Sequence, residues 1–210
     1  MTRVAALQPR RKPVQGRSLV TVEAILEAAA QVFERHGYAA GTTNRIAEQA
    51  GVSIGSLYQY FPNKDAILVA LVRRHMAEGT AILWPHVERL QAGEPLDDVI
   101  AGIVAAMVSL HAIAPRLHRV LFEETPLPTA LRSELYGIED ALVEILAGSL
   151  RITDEIAGTD PYLAARMIVS SIEGLTHRLV LRPLHGATPD VIATEITTLI
   201  SAYLRSLRPS

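Results

Sequence analysis

One stretch constrains this chain more than any other: residues 37–65, GYAAGTTNRIAEQAGVSIGSLYQYFPNKD. Thr42 and Thr43 stand where a hydroxyl can accept from an orphan N–H and open a short helix. Ile46, Ala47 and Ala50 give that helix an apolar face, and Gly51 ends it, since glycine takes a positive φ without penalty. Val52 anchors the turn and Ser53 caps a second helix. Leu57 and Phe61, one helical turn apart, face inward. Ile54, Ser56, Tyr58, Gln59 and Tyr60 are left on the outer surface and flank. Two short helices joined by such a turn, the second offering short polar and aromatic groups, fit the major groove of DNA.

The rest of the chain reads as helical. Val22, Ile25, Leu26, Ala29 and Phe33 recur at helical spacing over 20–36. Pro62-Asn63-Lys64 is a stop and restart, with Asn63 capping a helix from Lys64 to about Leu90 that Pro85 is expected to kink. Gly93-Glu94-Pro95 closes that unit. Further helices are expected over about 97–113, 116–124 and 129–151. Asp160-Pro161 and Thr188-Pro189 each set a cap residue before a proline at the first helical position, opening an eighth helix (161–182) and a ninth (189–207). No strand-like alternation or repeat occurs. The expected class is all-α with about nine helices: a basic arm over 1–18, a helix-turn-helix domain over 19–65 and a second helical domain over 66–210.

Charge divides along the same line. The net charge is −2, yet residues 1–80 hold ten Lys/Arg against six Asp/Glu, and residues 81–210 ten against sixteen. A basic front joined to an acidic remainder suits DNA binding at one end. Arg10, Arg11, Lys12 and Arg17 in the arm suit tracking phosphates or entering a minor groove, or a solvated tail. The chain has no cysteine, so disulfides and thiolate metal sites are excluded. No uninterrupted run of apolar residues is long enough to span a bilayer, and the basic N-terminus lacks the apolar core of a secretory signal. No GxSxG elbow, phosphate-binding glycine loop or dinucleotide fingerprint is present, so an enzyme is not expected. A metal site of His111, His118, His177 and Glu123 is conceivable, but no tight ligand spacing such as HxxxH occurs, so no metal is expected; no cofactor is expected either.

Gly37-Tyr38, Thr42-Thr43, Ile46-Ala47, Ala50-Gly51-Val52-Ser53, Gly55-Ser56-Leu57-Tyr58, Tyr60-Phe61 and Lys64 together resemble the DNA-binding domain of the TetR family of bacterial transcriptional regulators. The match is dense over about thirty residues; after about residue 75 it is one of helical layout. The resemblance implies a cytoplasmic homodimer that binds a palindromic operator in double-stranded DNA and is released by a small molecule. It implies that Ile54, Gly55, Ser56 and Gln59 face the groove, with Gln59 paired to adenine and Ile54 on a thymine methyl. It places Tyr58, Tyr60 and Lys64 on phosphates, and Thr43 and Arg45 on the backbone or bases. It sets a ligand site in the later helices, where the bulky or polar candidates are Trp84, Met107, His111, His118, Phe122, Tyr136 and His177. The same spacing equally describes core residues. Dimerisation is implied through helices eight and nine, whose stripes (Ala165, Ile168, Ile172, Leu175 and Leu179; Ile192, Ile196, Leu199, Tyr203 and Leu207) also fit packing within one chain. Ala164-Ala165, Ser170-Ser171 and Gly174 allow a partner helix to approach closely. An activator, or a regulator with no small-molecule inducer, is compatible with the same residues.

Overall fold

A computed structural model describes residues 16–125, 127–152, 159–182 and 186–208. Among these the chain is helical throughout: α1 (Gly16–Ala40), α2 (Thr43–Gln49), α3 (Ile54–Tyr60), α4 (Lys64–Gln91), α5 (Leu96–Ile113), α6 (Pro115–Phe122), α7 (Thr129–Ile152), α8 (Pro161–Leu181) and α9 (Pro189–Leu207). The all-α expectation of nine helices holds among the described residues. The expected arm lies outside them up to residue 15, and α1 begins at Gly16, inside the span read as arm. Gly37, at φ 73°, breaks the regular part of α1.

The chain forms two compact units. One holds the residues up to Ala77 together with 116–128; the other holds Glu78–Pro115 and the chain from Thr129 onward. The first unit therefore runs past residue 65 and includes α6. Its core includes Ile25, Phe33, Ile46, Leu57, Phe61 and Leu71, all but fully withdrawn from solvent. Each such side chain contributes about 2 kcal/mol by leaving water.

Helix ends account for much of this unit's geometry. Thr42 Oγ1 accepts from Arg45 N at 3.3 Å to start α2, and Ser53 Oγ accepts from Ser56 N at 3.0 Å to start α3. Asn63 Oδ1 accepts from Ala66 N at 2.8 Å at the start of α4. Between α2 and α3, Gly51 sits at φ 67° while Gly51 N bonds Glu48 O and Val52 N bonds Ala47 O, a Schellman closure.

The second unit buries Val104 and Val108 of α5, Val143 and Leu150 of α7, Ile168 and Ile172 of α8, and Ile196 and Ile200 of α9 in one core. α5 is long and apolar enough by composition to cross a membrane. Its apolar face is accounted for by packing on α8 and α9. α7 and α8 are tied by Arg166, which donates to Asp140 at 2.6 Å and to the Tyr162 hydroxyl at 2.8 Å, and by Ser170 donating to Glu139 at 2.8 Å. Asp160 and Thr188 cap α8 and α9 as their sequence signals predict. α4 continues through Pro85 to Gln91, with the ring removing the donor that the Ala81 carbonyl would otherwise accept.

The apolar stripes of α8 and α9 need correcting. Ile172 and Ile196 belong to their own chain's core, as do Ala164 and Ala165. Leu163 and Met167 on α8, and Val191 and Leu199 on α9, are the large apolar groups left exposed, and Ser170 and Gly174 further along α8 are exposed too.

Candidate nucleic-acid interface

α3 is only two turns long, so what it shows outward is decided by what it must bury. Leu57 is wholly buried, and Phe61 just after the helix is too. The 3.6-residue period then leaves Ile54, Gly55, Tyr58 and Gln59 exposed and Ser56 and Tyr60 half-exposed. None of the seven residues carries a charge. Thr43 Oγ1 and the Tyr58 hydroxyl lie 3.1 Å apart, so α2 and α3 present their hydroxyls side by side. Ser56 Oγ lies 2.8 Å from Ser53 Oγ and shares in the cap. A Cβ added to Gly55 would meet only Ser53 Oγ, at 3.8 Å. The fold thus has no need of glycine there, although glycine costs an exposed helix about 1 kcal/mol relative to alanine.

The cations beside this face bond to backbone carbonyls. Arg45 Nη1 donates to Ala40 O at 3.1 Å. Lys64 Nζ donates to Tyr38 O at 2.6 Å and to Ala39 O at 3.5 Å, and stands 4.0 Å from the centre of the Tyr38 ring. Partial burial pulls the Lys64 pKa below the usual lysine value, with the Asp65 charge opposing it. The Tyr38 hydroxyl donates to Asp65. Burial, that bond and the Asp65 charge all hold its proton on.

The residues read as ligand-lining are assigned to both units. In the first unit, buried His118 stacks on Phe122 at 4.5 Å and meets the edge of His75 at 4.7 Å. In the second, buried His111 places Nδ1 2.7 Å from Met107 O and Nε2 3.2 Å from His177 Nε2. A carbonyl only accepts, so Nδ1 carries the His111 proton and His177 donates across the pair. Burial brings the His111 pKa down to about 4, the Met107 carbonyl opposing and His177 assisting. Two candidates lie elsewhere: Trp84 is 52% exposed, with its indole donating to Glu88 at 2.9 Å, and Tyr136 is 59% exposed. Neither points into the apolar interior where a lining role would put it, because their helices bury other faces.

Three residues of interest escape a reading of the sequence. Tyr38 stands in the motif, but nothing in a single sequence shows its link to Asp65. Gly41 is required because a Cβ there would lie 2.5 Å from the Phe33 ring. Thr176, fully buried on α8, has a hydroxyl with no hydrogen-bond partner among the described residues.

A helix-turn-helix with an outward polar and aromatic second helix, joined to an all-helical second unit, defines a DNA-binding transcriptional regulator. Residues 25–71 match the family model "Bacterial regulatory proteins, tetR family", and residues 95–204 match "Tetracyclin repressor-like, C-terminal domain". The chain belongs to the TetR family of transcriptional regulators, and it is not an enzyme. The fatty acid metabolism regulator protein of Bacillus subtilis (strain 168) is 30% identical over 163 residues, 71% of this chain and 78% of that protein. A TetR-family regulator from Mesorhizobium loti MAFF303099 has the same fold, with a TM-score of 0.74 at 17% identity over 93% of this chain and 100% of that one. The regulator FadR from Bacillus subtilis, solved in complex with stearoyl-CoA, superposes with a TM-score of 0.67 at 24% identity over 85% of this chain and 96% of that one.

Proposed function

We propose that this chain is a cytoplasmic repressor. It binds a two-fold operator as a homodimer and leaves it when a small, largely apolar ligand binds the second unit. The observation that carries the DNA-reading part is the outward face of α3, where a glycine the fold does not need lies among exposed Ile54, Tyr58 and Gln59. Gly55 lets the helix backbone approach the groove. Gln59 reads adenine, Ile54 packs on a thymine methyl, and Ser56 offers its remaining hydroxyl capacity to a base edge. Thr43, Tyr58 and Tyr60 bond phosphates through their hydroxyls.

The homodimer is proposed on the exposed faces of α8 and α9. Leu163, Met167, Val191 and Leu199 are exposed apolar groups that two such pairs would bury as a four-helix bundle. Dimerisation presents two copies of α3 to successive major grooves, hence a palindromic operator.

The ligand site is proposed around Met107, His111 and His177, with the Thr176 hydroxyl as a buried, unfilled hydrogen-bonding group. A ligand site is typically apolar with a few placed polar groups. The name of the fatty acid regulator and the stearoyl-CoA bound to FadR favour an acyl chain as the apolar part that the second unit buries; carried as a CoA thioester, that chain brings an anionic head, so the ligand is apolar in its buried part only. The ligand drives release only if it prefers the conformer that does not fit DNA. α4 carries residues of both units and, with Phe61 and Leu57 before it, is the element by which the change reaches α3.

Fluorescence anisotropy on DNA from upstream of the chain's own or a neighbouring gene tests the reading. Tight binding that long-chain acyl-CoA reverses, while free CoA does not, supports it. Binding that no acyl-CoA reverses, in protein that a thermal shift shows to be unliganded, removes the ligand part. Failure to bind any such DNA removes the whole.

A further inference from the structure

The short segment between the regular part of α1 and the start of α2 helps to set where α2 and α3 sit. Gly37, at φ 73°, breaks α1, and the chain then runs through residues 38–41 to Thr42, whose hydroxyl caps α2. This segment is held closely on one side, since a Cβ on Gly41 would lie 2.5 Å from the Phe33 ring. The Phe33 ring stands 5.6 Å from that of Tyr38. On the other side the Tyr38 hydroxyl donates to Asp65, in the first turn of α4. Burial, this bond and the Asp65 charge, in that order, raise the Tyr38 pKa above the usual tyrosine value, so the phenol stays a donor at neutral pH.

An acid at this place is unexpected on charge grounds. Asp65 is exposed and follows Lys64, the residue that the resemblance places on a phosphate. DNA draws cations to a binding surface and repels carboxylates. The N-terminus of α4 favours an acid electrostatically, but Asn63 already caps that helix, and neither effect needs a bond to Tyr38. In the protein without DNA, Lys64 Nζ also donates to the Tyr38 and Ala39 carbonyls. An ammonium is able to turn from a carbonyl to a phosphate, whereas a carboxylate gains nothing from one. We propose that Asp65 is a positioning residue for operator binding: through the Tyr38 hydroxyl it holds the end of α1, and with it α2 and α3, on the first turn of α4. The proposal goes beyond the operator reading above and rests on the DNA binding stated there. Without the bond, residues 38–40 take up other arrangements, the fraction of protein that fits DNA falls, and the apparent affinity falls with it.

A double-mutant cycle on operator affinity separates positioning from charge. Tyr38→Phe removes the hydroxyl and keeps the ring and both neighbouring charges. Asp65→Ala removes the acceptor together with its charge. Each single variant, with the wild-type helical signal, should bind operator about three- to tenfold more weakly. In the Tyr38→Phe background, Asp65→Ala should cost little or nothing further. The lost charge acts on Lys64, on the helix end and on the phosphates in both backgrounds, so it cancels in the comparison. Either single variant binding as tightly as wild type or tighter overturns the proposal. So does an Asp65→Ala loss as large in the Tyr38→Phe background as alone. Wild-type protein that binds no DNA sinks the operator reading instead. The anchoring is also measurable without DNA. Gly41 N bonds Gly37 O at 3.1 Å across this segment. The Gly41 amide should exchange with deuterium about threefold faster or more in both single variants. Exchange at the wild-type rate in either one overturns the proposal.

Discussion

Gly55 lies at the point where stability and function pull apart. Nothing in the protein fills the space beside its Cα, so Gly55→Ala should raise stability by about 0.5–1 kcal/mol, read as a higher urea midpoint. The same methyl should weaken operator binding by holding the backbone off the groove. Equal or tighter binding by the variant would place the reading face elsewhere. Gln59→Ala should leave folding untouched and relax preference at one base position by about 1–3 kcal/mol. Selection of preferred sites from random sequence would show it, and an unchanged preference would contradict the assignment. His111 carries a prediction of another kind. Its pKa is about 4 when folded, against about 6.5 when unfolded. Below the unfolded value the denatured chain takes up a proton that the native chain refuses. Stability from this group is therefore complete above pH 6.5 and lost as pH falls toward 4, by about 3 kcal/mol at most. His111→Gln should flatten that part of the stability curve; a variant curve parallel to wild type from about pH 6.5 to about 4 would refute the burial argument.

At the scale of elements, the ends of helices were the most legible part of the chain. Thr42, Ser53, Asn63, Asp160 and Thr188 all cap the helices their sequence positions predict, because a cap is a local matter between a side chain and an N–H within three residues. The inward pair Leu57 and Phe61 was legible for the same reason. Partners distant in the chain were not. Lys64 is legible as a cation of the motif, but nothing in the sequence shows that its amine meets carbonyls 25 and 26 residues earlier. The stripes of α8 and α9 misled because the helices carry two apolar faces, and periodicity alone does not rank them. Ile172 and Ile196 lie in the core, while Met167 is 50% exposed and Leu199 54%. Met167→Glu with Leu199→Glu should therefore give a folded monomer by light scattering, with the wild-type helical signal. Ile172→Glu should unfold the chain instead, since it buries an unpaired charge. A dimer surviving the surface pair would rule out this interface.

At the scale of the whole molecule, the proposed function joins a nearly uncharged reading face to a two-fold homodimer. α3 has no charged residue, and its neighbours Arg45 and Lys64 bond to backbone carbonyls. Sequence preference should accordingly outweigh charge-driven, indiscriminate binding more than it would for a cation-rich helix. The central claim is that two copies of α3 read two symmetric half-sites. Hydroxyl-radical footprinting on the upstream DNA, with protein titrated against a known amount of operator, tests it most directly. Two protected patches related by a dyad are predicted, centred in successive major grooves about 34 Å apart and saturating at one dimer per site. Protection without a dyad, or saturation by a single chain, would contradict it.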